Sequence, residues 1–355
     1  CKPDPHLGSG SCLGDSHMFA KIGILEAAYY LPPKRKPLAE IFRDEKTPEV
    51  ALAANVDFQR DIGIEAVHVA GEETASSVAL KACRRVVEKA GINPGEIDVI
   101  VGFTSIPEDY IAPTWSAAGY IQKELGATRA FATAINTGGC ASYQQTLKSV
   151  CSLMSTNDNM NLALLFAGDK VPALNHNYYP ITVVCDGGGA VLLKKNHDRR
   201  VILSVDVITA GKLHDVWWVP GFPNRDPNHP EDHTWMHVAG DIGRFNTEVI
   251  PTNLFMFRKV IRGALQRAGK KSSDVKYYVY PTFSSWDQKA FCRAFTIPPE
   301  KVFMDGLQRH GHLQETDMVI DYVDALDEGH IHEGDLVMLV TNGAGFSWGA
   351  ALVQH

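Results

Sequence analysis

From Phe19 onward, short apolar runs alternate with stretches whose apolar residues return every three or four positions. The first pattern suits strands buried on both faces, the second helices that lay one face on them. AKIGILEAAYYLP opens the series as a strand stopped by proline. TASSVALKACRRVVEKAGI, from Thr74, has helical spacing and a C-terminal stop at Gly91. A strand over Asp98 to Phe103, a loop with Pro107 and Pro113, and a helix near Trp115 to Lys123 follow. Phe131 to Asn136 predicts a strand, SYQQTLKSVCSLM a helix, LALLFAGD a strand, and VVCDGGGAVLLKK a glycine turn between two strands. The theme then returns: PTNLFMFRKVIRGALQRAGK is helical, VKYYVYP a strand, TDMVIDYVDALDEGHI a helix, and DLVMLVTNGAGFSWGAALVQH strand, glycine turn, strand. Apolar strands separated by helices predict a layered α/β protein. The shared ending, CDGGGAVLL in one half and NGAGFSWGAALV in the other, predicts a duplicated unit.

The domain reading is a half over 19–200 and a half over 201–355, preceded by residues 1–18 as a small, turn-rich, disordered leader outside the fold. Between the halves, Gly211 to Gly243 holds four histidines, three tryptophans and four prolines. A loop of that length with such aromatic content reads equally as an active-site cover or as a long structured loop. The 355 residues are 45% apolar and 21% charged with net charge −7, an ordinary globular balance. No basic run points to nucleic acid, and no apolar stretch nears the ~20 residues of a membrane span. Setting aside Cys1 and Cys12, Cys83, Cys140, Cys151, Cys185 and Cys292 show no CxxC spacing, which favours a reducing cytoplasm over disulfides or zinc. His229, His233 and His237 have helical spacing but are interrupted by Pro230, so no metal site is expected.

One of these cysteines stands in a chemically distinct place. NTGGCASYQQTL puts Cys140 between a buried strand and a helix, after two glycines. Helix N-termini favour thiolate, and glycines permit close approach of a substrate. The other cysteines read as packing residues.

INTGGCAS, VVCDGGGAVLL, RHGH and TNGAGFSWGAALV, in this order, resemble the ketoacyl-ACP synthase III group of the thiolase superfamily from about Phe19 to His355. The resemblance implies a thiolase fold of duplicated βαβαβαββ halves in a five-layered αβαβα arrangement, a homodimer, and an acyl thioester on Cys140. It implies an oxyanion hole from the backbone N–H groups of Cys140 and Ala344, where fixed donors meet developing negative charge. It also implies a histidine after the proline of YYVYP and an asparagine after RHG.

This sequence departs from both. PTFSSW puts Thr282 at the histidine position, and RHGH puts His312 at the asparagine position. Threonine is no acid or base near neutral pH, so decarboxylative condensation loses its usual equipment. A cysteine and one histidine suffice for acyl transfer, with the histidine deprotonating a hydroxyl, amine or thiol. Asp317, five residues on, is the expected orienting acid, with Glu315 as the alternative. On one regular helix five residues would lie about 140° apart, so the pair requires a turn between them. His310 reads as structural. This pattern resembles a divergent acyltransferase subgroup of antibiotic and polyketide pathways.

The expected activity is therefore transfer of an acyl group from acyl-CoA or an acyl carrier protein, through acyl-Cys140, to a small-molecule acceptor. No cofactor is held permanently; the coenzyme A or phosphopantetheine thioester is the substrate. Competing readings are a carbon–carbon condensing enzyme and a non-catalytic subunit of a ketosynthase-like heterodimer. Arg258, Lys259 and Arg262 on one helix read first as a solvated face and, as the alternative, as a contact for an acidic carrier protein or a coenzyme A phosphate; Trp217, Trp218, His233, Trp235 and His237 are candidates to line the acceptor pocket.

Overall fold

The computed structural model describes residues 19–44, 60, 63–105, 116–171, 177–178, 182–218, 238–239, 241–280 and 283–355. The first half contributes β1 (Ile22–Tyr30), α1 (Ala75–Ala90), β2 (Val99–Gly102), α2 (Ala117–Leu125), β3 (Phe131–Ala134), α3 (Ser142–Thr156), β4 (Leu162–Asp169) and β5 (Gly187–Lys195). The second contributes β6 (Val201–Thr209), α4 (Ile250–Arg267), β7 (Tyr277–Val279), α5 (Ser285–Phe295), β8 (Val302–Phe303), α6 (Asp317–Asp327), β9 (Leu336–Gly343) and β10 (Ser347–Gln354). Both read βαβαβαββ.

The strands hydrogen-bond in the order β8-β7-β9-β10-β6-β1-β5-β4-β2-β3. Read outward from the middle, each half repeats one topology, its first strand innermost and its third at the edge. β6 and β1 meet at the antiparallel pair Gly23–Val201. Each half is parallel where helices cross over and antiparallel at its closing pair of strands.

Strand alternation sorts the core into layers. Ala163, Leu165, Val337 and Leu339 point inward, where Tyr143, Leu147 and Val150 of α3 and Val319, Tyr322 and Val323 of α6 fill one cluster shared by both halves. The alternate residues Leu162, Leu164 and Phe166 point outward to α1 and α2. Met338 and Val340 point outward to α4 and α5. The result is the five-layered αβαβα thiolase fold, with α3 and α6 enclosed in the middle.

Local sequence explains most boundaries. Thr74 caps α1 by accepting from the Ser77 N–H, and Gly91 ends it in the left-handed conformation at φ 62°. The pattern reading passes over β6 because Ser204 and Asp206 interrupt its apolar run. Ser204 Oγ donates to the Ala264 carbonyl at 2.7 Å and Asp206 pairs with Arg267, so α4 satisfies both. The expected glycine turn in VVCDGGGAVLLKK needs correction, since Gly187, Gly188 and Gly189 lie within β5. A side chain at Gly188 would stand 2.5 Å from the Val78 carbonyl, so the glycine there makes room for α1. The leader and most of the segment between the halves fall outside the described residues.

Candidate active site

The chain leaves β3, passes through the tight turn Gly139–Ala141 and enters α3, which puts Cys140 at the start of a central helix. Gly139 is in the left-handed region, φ 54°, and a side chain there would meet the Ala344 nitrogen at 2.6 Å. A side chain on Gly343 would come 2.5 Å from the Cys140 nitrogen. The two glycine segments named from sequence are thus pressed backbone to backbone, which brings the main chain of Ala344 to the cysteine turn. Thr341 Oγ1 donates to the Cys140 carbonyl at 3.2 Å and ties β9 to that turn.

His312 reaches the cysteine from the other half. Its N–H donates to the Val183 carbonyl at 3.1 Å, and its carbonyl accepts from the Cys185 N–H at 2.7 Å. The side chain is fully buried, and its Nε2 lies 3.6 Å from Cys140 Sγ. The other ring nitrogen, Nδ1, is 2.5 Å from Asp317 Oδ2, while Asp317 Oδ1 accepts from the Leu313 N–H at 2.6 Å. A carboxylate only accepts, so Asp317 assigns the proton to Nδ1 and leaves Nε2 free to accept from the thiol. The Phe283 ring packs on the imidazole at 4.7 Å between centroids and limits its rotation.

The turn that allows this is local. Gln314 takes φ 53°, a left-handed conformation that costs a non-glycine residue roughly 1–2 kcal/mol. The turn Gln314–Thr316 then leads into α6 at Asp317, so the acid lies within reach of His312 as it would not on one continuous helix. Of the two expected acids, Asp317 takes the imidazole. Glu315 is buried and hydrogen-bonds instead with Asp169 at the end of β4. Asp169 Oδ2 also accepts from the Thr316 N–H at 3.2 Å.

The electrostatics differ from the expectation of a helix terminus favouring thiolate. Burial pushes the Cys140 thiol well above its ordinary range, and the charges of Glu315, Asp317 and Asp169 add to the rise; its own backbone N–H opposes them. Burial likewise pushes the Asp169 carboxyl well up, helped by the charge of Glu315 and its hydrogen bond. The resting sulfur is a thiol beside a base.

Thr282 lies outside the described residues, as do His229, Pro230, His233, Trp235 and His237. Trp217 is buried. His310 turns to Asp324 Oδ2 at 3.1 Å, and Tyr29 donates to the other oxygen of that carboxylate. Arg258, Lys259 and Arg262 are exposed on α4 in the outer layer. Arg258 donates to the Ala294 carbonyl and lies over Phe295, and Lys259 lies over Phe255. No cluster of three or more metal-ligating side chains occurs among the described residues. Asp169, Phe283 and Thr341 are site residues that sequence reasoning missed. The only signal was an acid ending the apolar strand LALLFAGD.

Residues 265–355 match the family described as 3-oxoacyl-[acyl-carrier-protein (ACP)] synthase III C terminal. A β-ketoacyl-[acyl-carrier-protein] synthase III of Clostridium perfringens is 27% identical over 319 residues, 88% of this chain and 95% of that protein. The crystal structure of 3-oxoacyl-[acyl-carrier-protein] synthase III from Aquifex aeolicus superimposes with a TM-score of 0.75 at 21% identity, covering 94% of this chain and all of that one. ChlB3, described as an acyltransferase, superimposes with a TM-score of 0.77 at 19% identity, covering 94% and 97%. Over most of its length the chain is similar to β-ketoacyl-[acyl-carrier-protein] synthases III and shares their fold.

Proposed function

We propose that the protein is an acyltransferase that carries an acyl group on Cys140 from acyl-CoA or an acyl carrier protein to a hydroxyl, amine or thiol acceptor. The observation that carries this reading is the continuous contact from Cys140 Sγ through His312 to Asp317. In the first half-reaction Nε2 takes the thiol proton as sulfur attacks the thioester carbonyl carbon. The backbone N–H groups of Cys140 and Ala344 receive the developing oxyanion. Collapse expels the donor thiolate, which takes the proton from His312. The acceptor then surrenders its proton to Nε2 and attacks the acyl-Cys140 carbonyl, and the departing Cys140 sulfur takes that proton back. One base serves both halves, and Asp317 supports its charged form each time.

The names of the relatives favour a second reading, carbon–carbon condensation as in β-ketoacyl synthases. Thr282 at the position of the family's histidine weighs against it, because a threonine hydroxyl is no acid or base near neutral pH. Arg258, Lys259 and Arg262 fit a carrier-protein or coenzyme A phosphate contact. The edge strand β3 exposes Phe131 at 55% and suits pairing with a second copy. No helix among the described residues is long and apolar enough to cross a membrane. We place the protein in the cytoplasm, in secondary metabolism.

The test is intact-mass analysis after incubation with a panel of acyl-CoA and acyl-carrier donors. The reading expects an acyl mass on the wild type and none on Cys140→Ala. An adduct that persists on Cys140→Ala overturns it.

A further inference from the structure

The hairpin that carries Ala344 is clasped from outside by one side chain. β9 and β10 face each other at Asn342 and Trp348, one pair short of the turn at 344–346. Asn253, in the first turn of α4, lies against both strands. Its Oδ1 accepts from Trp348 Nε1 at 2.7 Å and from Asn342 Nδ2 at 3.1 Å. These three groups admit one arrangement. An indole N–H only donates, so the Asn253 atom that meets it is the oxygen. The Asn342 atom that meets the same oxygen is then the nitrogen. Asn342 Oδ1 is left buried with no partner among the described residues, an unfavourable place for an acceptor. Asn342 thus keeps its contact with Asn253 at the expense of its own oxygen. On the inner face, Thr341 Oγ1 reaches the Cys140 carbonyl, and Gln145 Nε2 donates to Ser347 Oγ at 3.1 Å. Those anchors tie the hairpin to the cysteine turn and α3, whereas Asn253 ties it to the outer layer. The strands are held from both faces two residues from Ala344.

We propose that Asn253 is a positioning residue for the oxyanion hole: by joining Asn342 to Trp348 it sets where the hairpin tip holds the Ala344 N–H relative to Cys140. The inference rests on the acyl-Cys140 reading. A backbone donor stabilises an oxyanion only while its place and direction are fixed in advance. Without the shared acceptor the two strands lose their common tie to α4, and the tip is free to shift. That change weakens a hydrogen bond made in the transition state more than it alters binding of the ground state. Asn253 itself touches neither Cys140 nor His312 by hydrogen bond, so its effect passes through the hairpin.

The experiment compares two reactions of the same sulfur, each read by peptide mass at Cys140. p-Nitrophenyl acetate acylates it through a tetrahedral oxyanion: the S–C bond forms, the C–O bond to p-nitrophenolate breaks, and the thiol proton leaves through His312. Iodoacetamide alkylates it by displacing iodide and forms no oxyanion. Asn253→Leu keeps the size of the side chain and removes the shared acceptor. It is expected to slow acylation about tenfold, less than the ~10²–10³-fold of deleting an oxyanion donor outright, and to leave alkylation unchanged. Asn253→Asp keeps an oxygen for both donors and is expected to recover most of the acylation rate. Asn253 is only half-buried, so these changes empty no core site; if Asn253→Leu does not fold, Asn253→Ala is read in its place. Acylation unchanged in the variant overturns the proposal. So does an equal slowing of both reactions, which would mean a displaced sulfur or base, and so does an Asn253→Asp as slow as Asn253→Leu, which would make the effect one of packing. A wild type that is alkylated but not acylated at Cys140 overturns the acyl-Cys140 reading and this proposal with it, whereas an acylated wild type with unaffected variants overturns the proposal alone.

Discussion

At the scale of single residues, a cysteine with a raised proton affinity has been matched to a base 3.6 Å away. His312→Ala should therefore slow both acylation and transfer, lowering kcat/KM by ~10²–10⁴-fold while leaving the fold intact. Single-turnover acylation measured apart from multiple turnover checks this. A loss confined to the second half-reaction would contradict the account. Asp317→Asn should allow the imidazole to adopt the other tautomer and cost ~10²-fold or more in kcat with little change in KM. Cys140 is named in the sequence by its glycine-flanked helix start, and His312 and Asp317 by the family resemblance; the structure brings the three side chains together. Asp169 was not legible there, because it lies 146 positions from its partner Glu315 and only the fold brings β4 to that turn. Nor was the sign of the thiol's shift. The helix terminus was visible in NTGGCAS, but the burial and carboxylates that outweigh it belong to tertiary structure.

At the scale of elements, the site is held by two glycine turns and two central helices. Gly139→Ala forces a side chain into the left-handed region and against the Ala344 nitrogen. It should cost at least ~1 kcal/mol of stability, and kcat should fall more than KM changes, as expected if the backbone donors move. Thermal melts and steady-state kinetics on one preparation separate the two effects. In α5, burial raises the Asp287 carboxyl to about 6, and the Tyr280 hydroxyl donates to it at 2.7 Å. Its folded pKa lies above the unfolded value near 4, so the native state binds the extra proton between them. Stability from this group is therefore greatest below about 4 and is lost as pH rises through about 6. Asp287→Asn should remove that slope, as Tm against pH would show. An unchanged slope would assign it to other groups. Helices with caps, such as α1, were legible in sequence. The strand β6 was not, because its polar residues find partners only on α4.

For the whole molecule, duplication has a chemical consequence. α3 and α6 are equivalent helices in the two halves and lie together in the middle layer. Cys140 stands where one begins and His312 just before the turn that leads into the other, so each half supplies one member of the proposed reacting pair. The exposed edge at β3 predicts a second level of pairing between copies. Phe131→Asp should shift the mass measured by light scattering from dimer to monomer, and a wild-type monomer would contradict it.

The account stands on acyl transfer without decarboxylation. Protein loaded with acyl on Cys140 should be offered, separately, a malonyl thioester labelled in its free carboxyl group and a panel of hydroxyl, amine and thiol acceptors. The prediction is loss of the acyl mass to one of the acceptors and no labelled carbon dioxide from the malonyl thioester. Carbon dioxide released in step with a β-keto product would contradict it and make the protein a condensing enzyme.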